Sequence, residues 1–381
     1  MVRLLVFGLA CAIAAACISS DAADEQAQEE SPLIIVSKVR PDPAYFEKRG
    51  ELTRLNFDFE LENSAPFDVE ITFIGMRVYD AKGNVLVRRY MGRNGSPGPI
   101  AMLPEATIPS GGTRYIFNPF PDLALARAPE YAAITVAHSD GVLNFNVRFH
   151  APPGPVLDRL PLDGISYVYS GNDLFAHHRR VALDSEAALS IGMEHVAQRY
   201  ALDFTRLDPE TGDLAANDGA RQSDWYGFGV EVFAPVTGEV VAGRSDMPDN
   251  HFDASGQRVF ADGFMDAPED RSLGNYLTLE VGQGAYLVLA HFAENTLALE
   301  IGDTVEAGEF IGNVGMSGDT AYPHLHIQLQ DGADSVHARP LPITFACVDY
   351  DGPRGQASGA VDTGDFVSPC VRQPARPSPV D

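Results

Sequence analysis

The chain has 381 residues, 45% of them hydrophobic and 21% charged, enough to bury a sizeable core and to divide into two domains. Its 53 acidic against 27 basic residues give a formal charge of −26, which would repel a polyphosphate and excludes nucleic acid as a partner. No run of Lys and Arg offsets that charge.

The first twenty residues, MVRLLVFGLACAIAAACISS, carry one basic residue, Arg3, before an uncharged apolar run. The run is too short for a stable bilayer-spanning helix and reads as a signal peptide over 1–20, so the rest is expected to be exported. AAAC at 14–17 resembles a bacterial lipobox, with Ala14 where Leu is more usual. Lipid attachment at Cys17 would leave the protein in the periplasm, associated with the outer membrane; the alternative is ordinary cleavage after a small residue.

Residues 21–31, small and acidic, read as a flexible tether. From 32 to 150 the sequence alternates. RLNFDFELEN puts Leu55, Phe57, Phe59 and Leu61 on one face, and turn signals such as DAKGN and PSGGT separate further alternating runs. The pattern predicts a mainly β protein opening with an antiparallel immunoglobulin-like β-sandwich. The four prolines of 151–164 predict a semi-rigid linker. A second strand-rich domain is expected over 165–346, followed by a C-terminal tail over 347–381. Once the targeting segment with Cys11 and Cys17 is set aside, Cys347 and Cys370 remain as a pair and are expected to form a disulfide.

Near the end of the second domain, AYPHLHIQLQDG places His324 and His326 one residue apart in a strand-like run. Side chains on a strand alternate, so the two imidazoles project the same way from Cα atoms roughly 6.5–7 Å apart. One can then hold a metal while the other reaches a group bound to it. Two surface histidines also reach that spacing by chance, so the surroundings have to decide.

Those surroundings resemble the M23 family of zinc metallopeptidases, the lysostaphin-like cell-wall endopeptidases. SGDTAYPHLHIQL is similar to the family's PHLH signature, and APVTGEVVAG, GNYLTLEVGQGAYLVLAHF and IGDTVEAGEFIGNVGMSG match its other motifs in the correct order. The resemblance covers roughly 165–335 and implies an antiparallel β-sheet peptidase domain of the duplicated hybrid motif. It also implies that His326 is a zinc ligand, and that His291 and His324 are catalytic, flanking the metal-bound water.

The family's other two ligands normally come as HxxxD, and this chain departs from that pattern: QRYALDF supplies Asp203, but Arg199 stands four residues earlier. A subtype with an insertion between the two ligands looks like AHHRRVALDSEAALSIGMEHVAQRYALDF, and on that likeness His178 is the remaining ligand, ranked ahead of His195 and then His177. His178, Asp203 and His326 would leave Zn²⁺ one open tetrahedral position, as a catalytic site requires. One of His291 and His324 would act as general base and the other stabilise the oxyanion, with the assignment open. His138, His150, His251 and His337 read as ordinary residues, and Glu231 as an exposed strand carboxylate. Ser317 lacks a GxSxG elbow, so serine hydrolysis has little support.

The resemblance therefore implies an exported, zinc-dependent endopeptidase acting on peptidoglycan peptides. A second class of reading is a non-catalytic relative that binds cell wall or activates another hydrolase. A third keeps the zinc chemistry but directs it at a protein or free peptide.

Overall fold

The alternating run RLNFDFELEN lies in the strand Leu52–Asn63. In the computed structural model, residues 34–49, 52–103, 105–183, 185–262, 264, 271–352 and 354–370 are described. The expected signal peptide, the tether, Cys17 and the last eleven residues lie outside them. Strand Leu52–Asn63 pairs antiparallel with Ile34–Arg49 and with Thr113–Phe117. A second group centres on Val69–Tyr79, which pairs with Val85–Met91 and Tyr131–His138, and the latter pairs with Gly141–His150.

Both groups bury their apolar faces in one cluster, Leu55, Phe57, Phe59 and Leu61 from the first and Ile71, Ile74, Met76 and Val78 from the second. All eight side chains are at most 2% exposed, and each such burial contributes about 1.5–3 kcal/mol. β-branched and aromatic residues at period two favour a strand, because one pleated face can then be buried whole.

The C-terminal body is built on one antiparallel sheet. Its strands run in the order Ser166–Ser170, Leu202–Thr205, Leu325–Gln330, Tyr286–Phe292, Asn275–Glu280 and Gly238–Arg244. This order brings segments more than a hundred residues apart into neighbouring rows, with Asp203 opposite His326, and puts Ala290 on the other side of His326. A second apolar cluster packs here, including Val168, Phe204, Leu277, Leu287, Leu325, Ile327 and Phe345.

Two expectations differ from what is observed. The proline-rich stretch 151–164 does not hang free: Leu157, Leu160 and Leu162 are at most 1% exposed and belong to the C-terminal cluster, with single bridges from Leu157 to Phe345 and from Leu162 to Val232. Its prolines prevent a regular strand while the intervening leucines still pack. The segment from 347 to 370 is not a loose tail either. Phe345–Tyr350, Gly355–Gly359 and Phe366–Pro369 are strands, and the last pairs with Ser166–Ser170. Val348, Val361 and Val367 are fully buried, and Cys347 and Cys370 are joined in a disulfide.

The described residues form one compact unit, and its two halves meet through polar side chains. The face of Leu52–Asn63 opposite its apolar one, Arg54, Asn56 and Asp58, is buried against the C-terminal body. Arg54 donates to Asp362 and to the Asn172 carbonyl at 2.7 Å each. Among the described residues no helix is long and apolar enough to cross a membrane.

Candidate metal centre

Three adjacent strands converge at one end of the C-terminal sheet. Asp203 lies on Leu202–Thr205, His326 faces it from Leu325–Gln330, and His291 sits near the end of Tyr286–Phe292. His324, one residue before its strand begins, shares the face of His326. A 3₁₀ turn, His177–Arg180, supplies His177 and His178. All six line one cavity of about 470 Å³.

Asp203 is 1% exposed and each of its oxygens faces an imidazole. His178 Nε2 lies 2.9 Å from Oδ2, and His326 Nδ1 lies 3.0 Å from Oδ1. The outer nitrogens are held by amide oxygens: His178 Nδ1 donates to Gln198 Oε1 at 3.0 Å, and His326 Nε2 to Gln328 Oε1 at 2.9 Å. The Gln328 orientation is in turn fixed by its amide donating to Gln330 Oε1 at 2.6 Å. A doubly protonated imidazole donates to the carboxylate from its inner nitrogen; a neutral one, its proton kept outside on the amide oxygen, turns an inner lone pair to the same point. In the neutral form two lone pairs and a carboxylate converge in a buried site, the donor set that a cation needs. Two imidazoles and a carboxylate, each histidine oriented through its far N–H, fit a Zn²⁺ site.

Burial alone would raise the Asp203 carboxyl. The imidazoles of His178 and His324 and hydrogen bonds with His178 and His326 outweigh it and hold the group well below the usual carboxylate range. The opposite holds for the other two histidines. Burial, reinforced by His324 and His326, pushes His291 well below the usual imidazole value, and burial lowers His324 although Asp203 opposes it.

His291 and His324 have a different wiring from His178 and His326. His291 Nδ1 donates to the Ser317 carbonyl at 2.9 Å, and His324 Nδ1 to the Tyr322 carbonyl at 2.9 Å with Thr320 Oγ1 equally near. Their rings are 4.7 Å apart, and the Nε2 of each is left for the cavity; His324 Nε2 is 3.6 Å from Asp203 Oδ1. His291 is held at φ 67°, a left-handed conformation that costs a non-glycine residue energy and clusters at functional sites. Its support is tight: at Gly274, φ 66°, an added Cβ would fall 2.4 Å from the Ser317 carbonyl carbon, so only glycine lets the two chains approach. Ser317 itself is fully buried and bonded to the backbone of Phe292 and Asn275, which is no arrangement for a nucleophile.

Of the three candidates for the first ligand position, the structure brings two to Asp203. His178 is buried and 2.9 Å away; His177 is largely exposed, with Nε2 3.8 Å from Oδ2. The donor atoms of His177, His178 and Asp203 all lie within 4.8 Å of one another. His195 lines a separate cavity with Lys38, Arg40 and Asp42. Arg199, which stands where the usual motif has histidine, points instead to Asp58. Glu231 is exposed, as are His150, His251 and His337. Sequence reasoning missed Gln198 and Gln328. The signal for Gln328 was present, because HLHIQLQ continues the same face at period two.

The sequence model of peptidase family M23 matches residues 226–338, a stretch that holds His291, His324 and His326 but begins after His178 and Asp203. Among curated proteins, glycine cleavage system H proteins from Neisseria meningitidis serogroups C and B are each 33% identical over 75 residues, which is 19% of this chain. The chain spans 59% of the length of these relatives. Among solved structures, a putative peptidase M23 from Pseudomonas aeruginosa is 14% identical with a TM-score of 0.26, over 70% of this chain and 86% of that one. The catalytic domain of the antimicrobial peptidase lysostaphin from Staphylococcus simulans is 19% identical at 0.24, over 47% and 88%. A zinc-containing peptidase from Vibrio cholerae is 12% identical at 0.24, over 72% and 77%. TM-scores this low add nothing to the family match.

Proposed function

We propose, from the premise that this chain belongs to peptidase family M23 through residues 226–338, that it is an exported zinc-dependent endopeptidase cleaving peptide bonds of bacterial cell-wall peptidoglycan. The observation that carries the reading is the convergence of His178 Nε2, His326 Nδ1 and both Asp203 oxygens in one buried cluster, with His291 and His324 beside it. Zn²⁺ held by His178, Asp203 and His326 would polarise the scissile carbonyl and bring water ionisation towards neutral pH.

The chain's own residues do the rest. Gln198 and Gln328 keep the ligand imidazoles in one tautomer. His291 and His324, each with its proton held on Nδ1 by a backbone carbonyl, present a free Nε2 lone pair to the cavity. One Nε2 takes the proton of the attacking water and returns it to the departing amine; the other, carrying on Nε2 a proton drawn from solvent, would donate to the carbonyl oxygen as its charge grows and keep that proton through the turnover. The substrate assignment rests on the family, and export on the N-terminal signal reading, with the Cys347–Cys370 bridge in support.

Digestion of purified peptidoglycan, with mass analysis of the fragments, tests the proposal. New amino termini in the stem peptides or cross-bridges, lost with a chelator and restored by zinc, are expected. Zinc-dependent cleavage of proteins but not of cell wall would redirect the chemistry to another substrate. Wall binding without cleavage would replace the enzyme by a groove that binds wall or activates another hydrolase.

A further inference from the structure

The side chains that set the first ligand come from two short turns, His177–Arg180 and Ala197–Tyr200. Neither has a side-chain cap at its start, and single 3₁₀ turns of this length do not hold their shape unaided. What fixes them comes from the N-terminal half. Arg179, next to His178, and Arg199, next to Gln198, are 1% and 3% exposed. Both reach Asp58: Arg199 Nη1 donates to Oδ2 at 2.6 Å and Arg179 Nη2 to Oδ1 at 3.4 Å. The flanking residues of the same strand add to the grip. Asn56 Oδ1 accepts from Arg199 Nε at 3.0 Å, the Asn56 carbonyl from the Tyr200 hydroxyl at 3.4 Å, and the Phe57 carbonyl from Arg179 Nη2 at 3.4 Å.

We infer that Asp58 is a positioning residue for the metal centre, acting through Arg179 and Arg199 to lock the two turns together and so to set His178 against Gln198 and Asp203. The inference rests on the metal reading above. Each oxygen of one carboxylate serves a different turn, so the carboxylate is the common anchor. Without its charge two guanidinium groups would remain buried side by side, and the cheapest relief is for the turns to move apart. The N-terminal half is then part of the site's framework, supplying no ligand but fixing the one that the turn His177–Arg180 contributes.

The test compares Asp58→Asn with Asp362→Asn in the full chain. Asp362 accepts from Arg54 in the same seam between the halves, but contacts neither turn. Zinc affinity by chelator competition and the visible absorption spectrum of the Co²⁺-loaded protein are the readouts. Asp58→Asn should weaken zinc binding about 10-fold, the lower end of what losing a ligand's direct outer partner costs because Asp58 acts one step further out, and alter the cobalt spectrum. Asp362→Asn should lower thermal stability and leave both unchanged. Wild-type affinity and spectrum in Asp58→Asn would overturn the inference, and so would an equal loss in Asp362→Asn, which would make the effect one of general loosening. If Asp58→Asn does not fold, Asp58→Glu keeps the charge and displaces it by one methylene; it should shift the cobalt spectrum, and an unshifted one overturns the inference. A wild-type chain that binds no zinc removes the metal reading itself, whereas normal wild-type binding with an unaffected Asp58→Asn removes only the positioning role.

Discussion

Strands Leu52–Asn63 and Leu325–Gln330 have the same alternation and a different fate. Each buries an apolar face, Leu55, Phe57, Phe59 and Leu61 in one and Leu325, Ile327 and Leu329 in the other. Each also buries its polar face, Arg54, Asn56 and Asp58 against His326, Gln328 and Gln330. In the first the buried groups complement one another, since the Asp58 carboxylate meets the guanidinium groups of Arg179 and Arg199. In the second, the inner nitrogens of His326 and His178 converge with the Asp203 carboxylate on one point, a donor set for a cation. A buried polar surface whose opposite charges pair is structural; one whose donor atoms converge on a single point is a site for an ion.

The comparison breaks hardest at the acceptors. Asp203→Ala, His326→Ala and His178→Ala should each lose stoichiometric zinc and with it measurable peptidoglycan hydrolysis, read by metal analysis of the purified proteins alongside the digestion assay. Zinc retained at the wild-type level in His326→Ala would mean the convergence is not a metal site. His324→Ala and His291→Ala sharpen the same point, because on the proposed reading their imidazoles serve proton transfer and do not hold the ion. They should keep zinc and lose about 10²–10⁴-fold in turnover, and loss of the metal as well would make the substituted histidine a ligand instead.

On the closed strand, effects should appear in stability. Phe57→Ala removes a fully buried ring and should cost about 3–5 kcal/mol in denaturant unfolding, with zinc stoichiometry unchanged in the folded protein. A drop in stoichiometry would mean that the apolar face, too, reaches the site. Glu47, fully enclosed beside Asn172 in the same seam, gives a pH-dependent effect. Burial pushes its carboxyl from 4.5 up to about 7, although Arg54 opposes the rise. Between those values the unfolded chain has lost the proton and the folded one retains it, so stability from this group falls as pH rises from 4.5 to about 7. The loss approaches about 3 kcal/mol, and Glu47→Gln should flatten that part of a stability–pH profile. An unchanged profile in Glu47→Gln would mean that the carboxyl titrates normally. The smallest effect is expected at His195, outside both strands: His195→Ala should stay within about 0.5 kcal/mol of wild type and keep its zinc. Metal loss there would overturn the ranking of His178 first.

Much of this was legible in residue order. Period-two alternation picked out Leu55, Phe57, Phe59 and Leu61 as core, and the same rule put His324 and His326 on one face, because side-chain direction on a strand is a local property of the backbone. The two cysteines outside the first twenty residues were enough to expect their bridge. Gln328 could have been found by extending that face two residues further. What alternation cannot report is what stands opposite a face. Asn56 and Asp58 look like ordinary solvent-facing positions, and only the packing of the C-terminal body against them makes them partners of Arg199 and Arg179. Likewise the four prolines of 151–164 described the backbone correctly, yet Leu157, Leu160 and Leu162 are core because a sheet assembled from distant strands lies beneath them. The choice of His178 over His195 is of the same kind. Both histidines precede Asp203 by a short stretch of chain, and which of them meets it depends on contacts between residues more than a hundred positions apart, which no local pattern encodes.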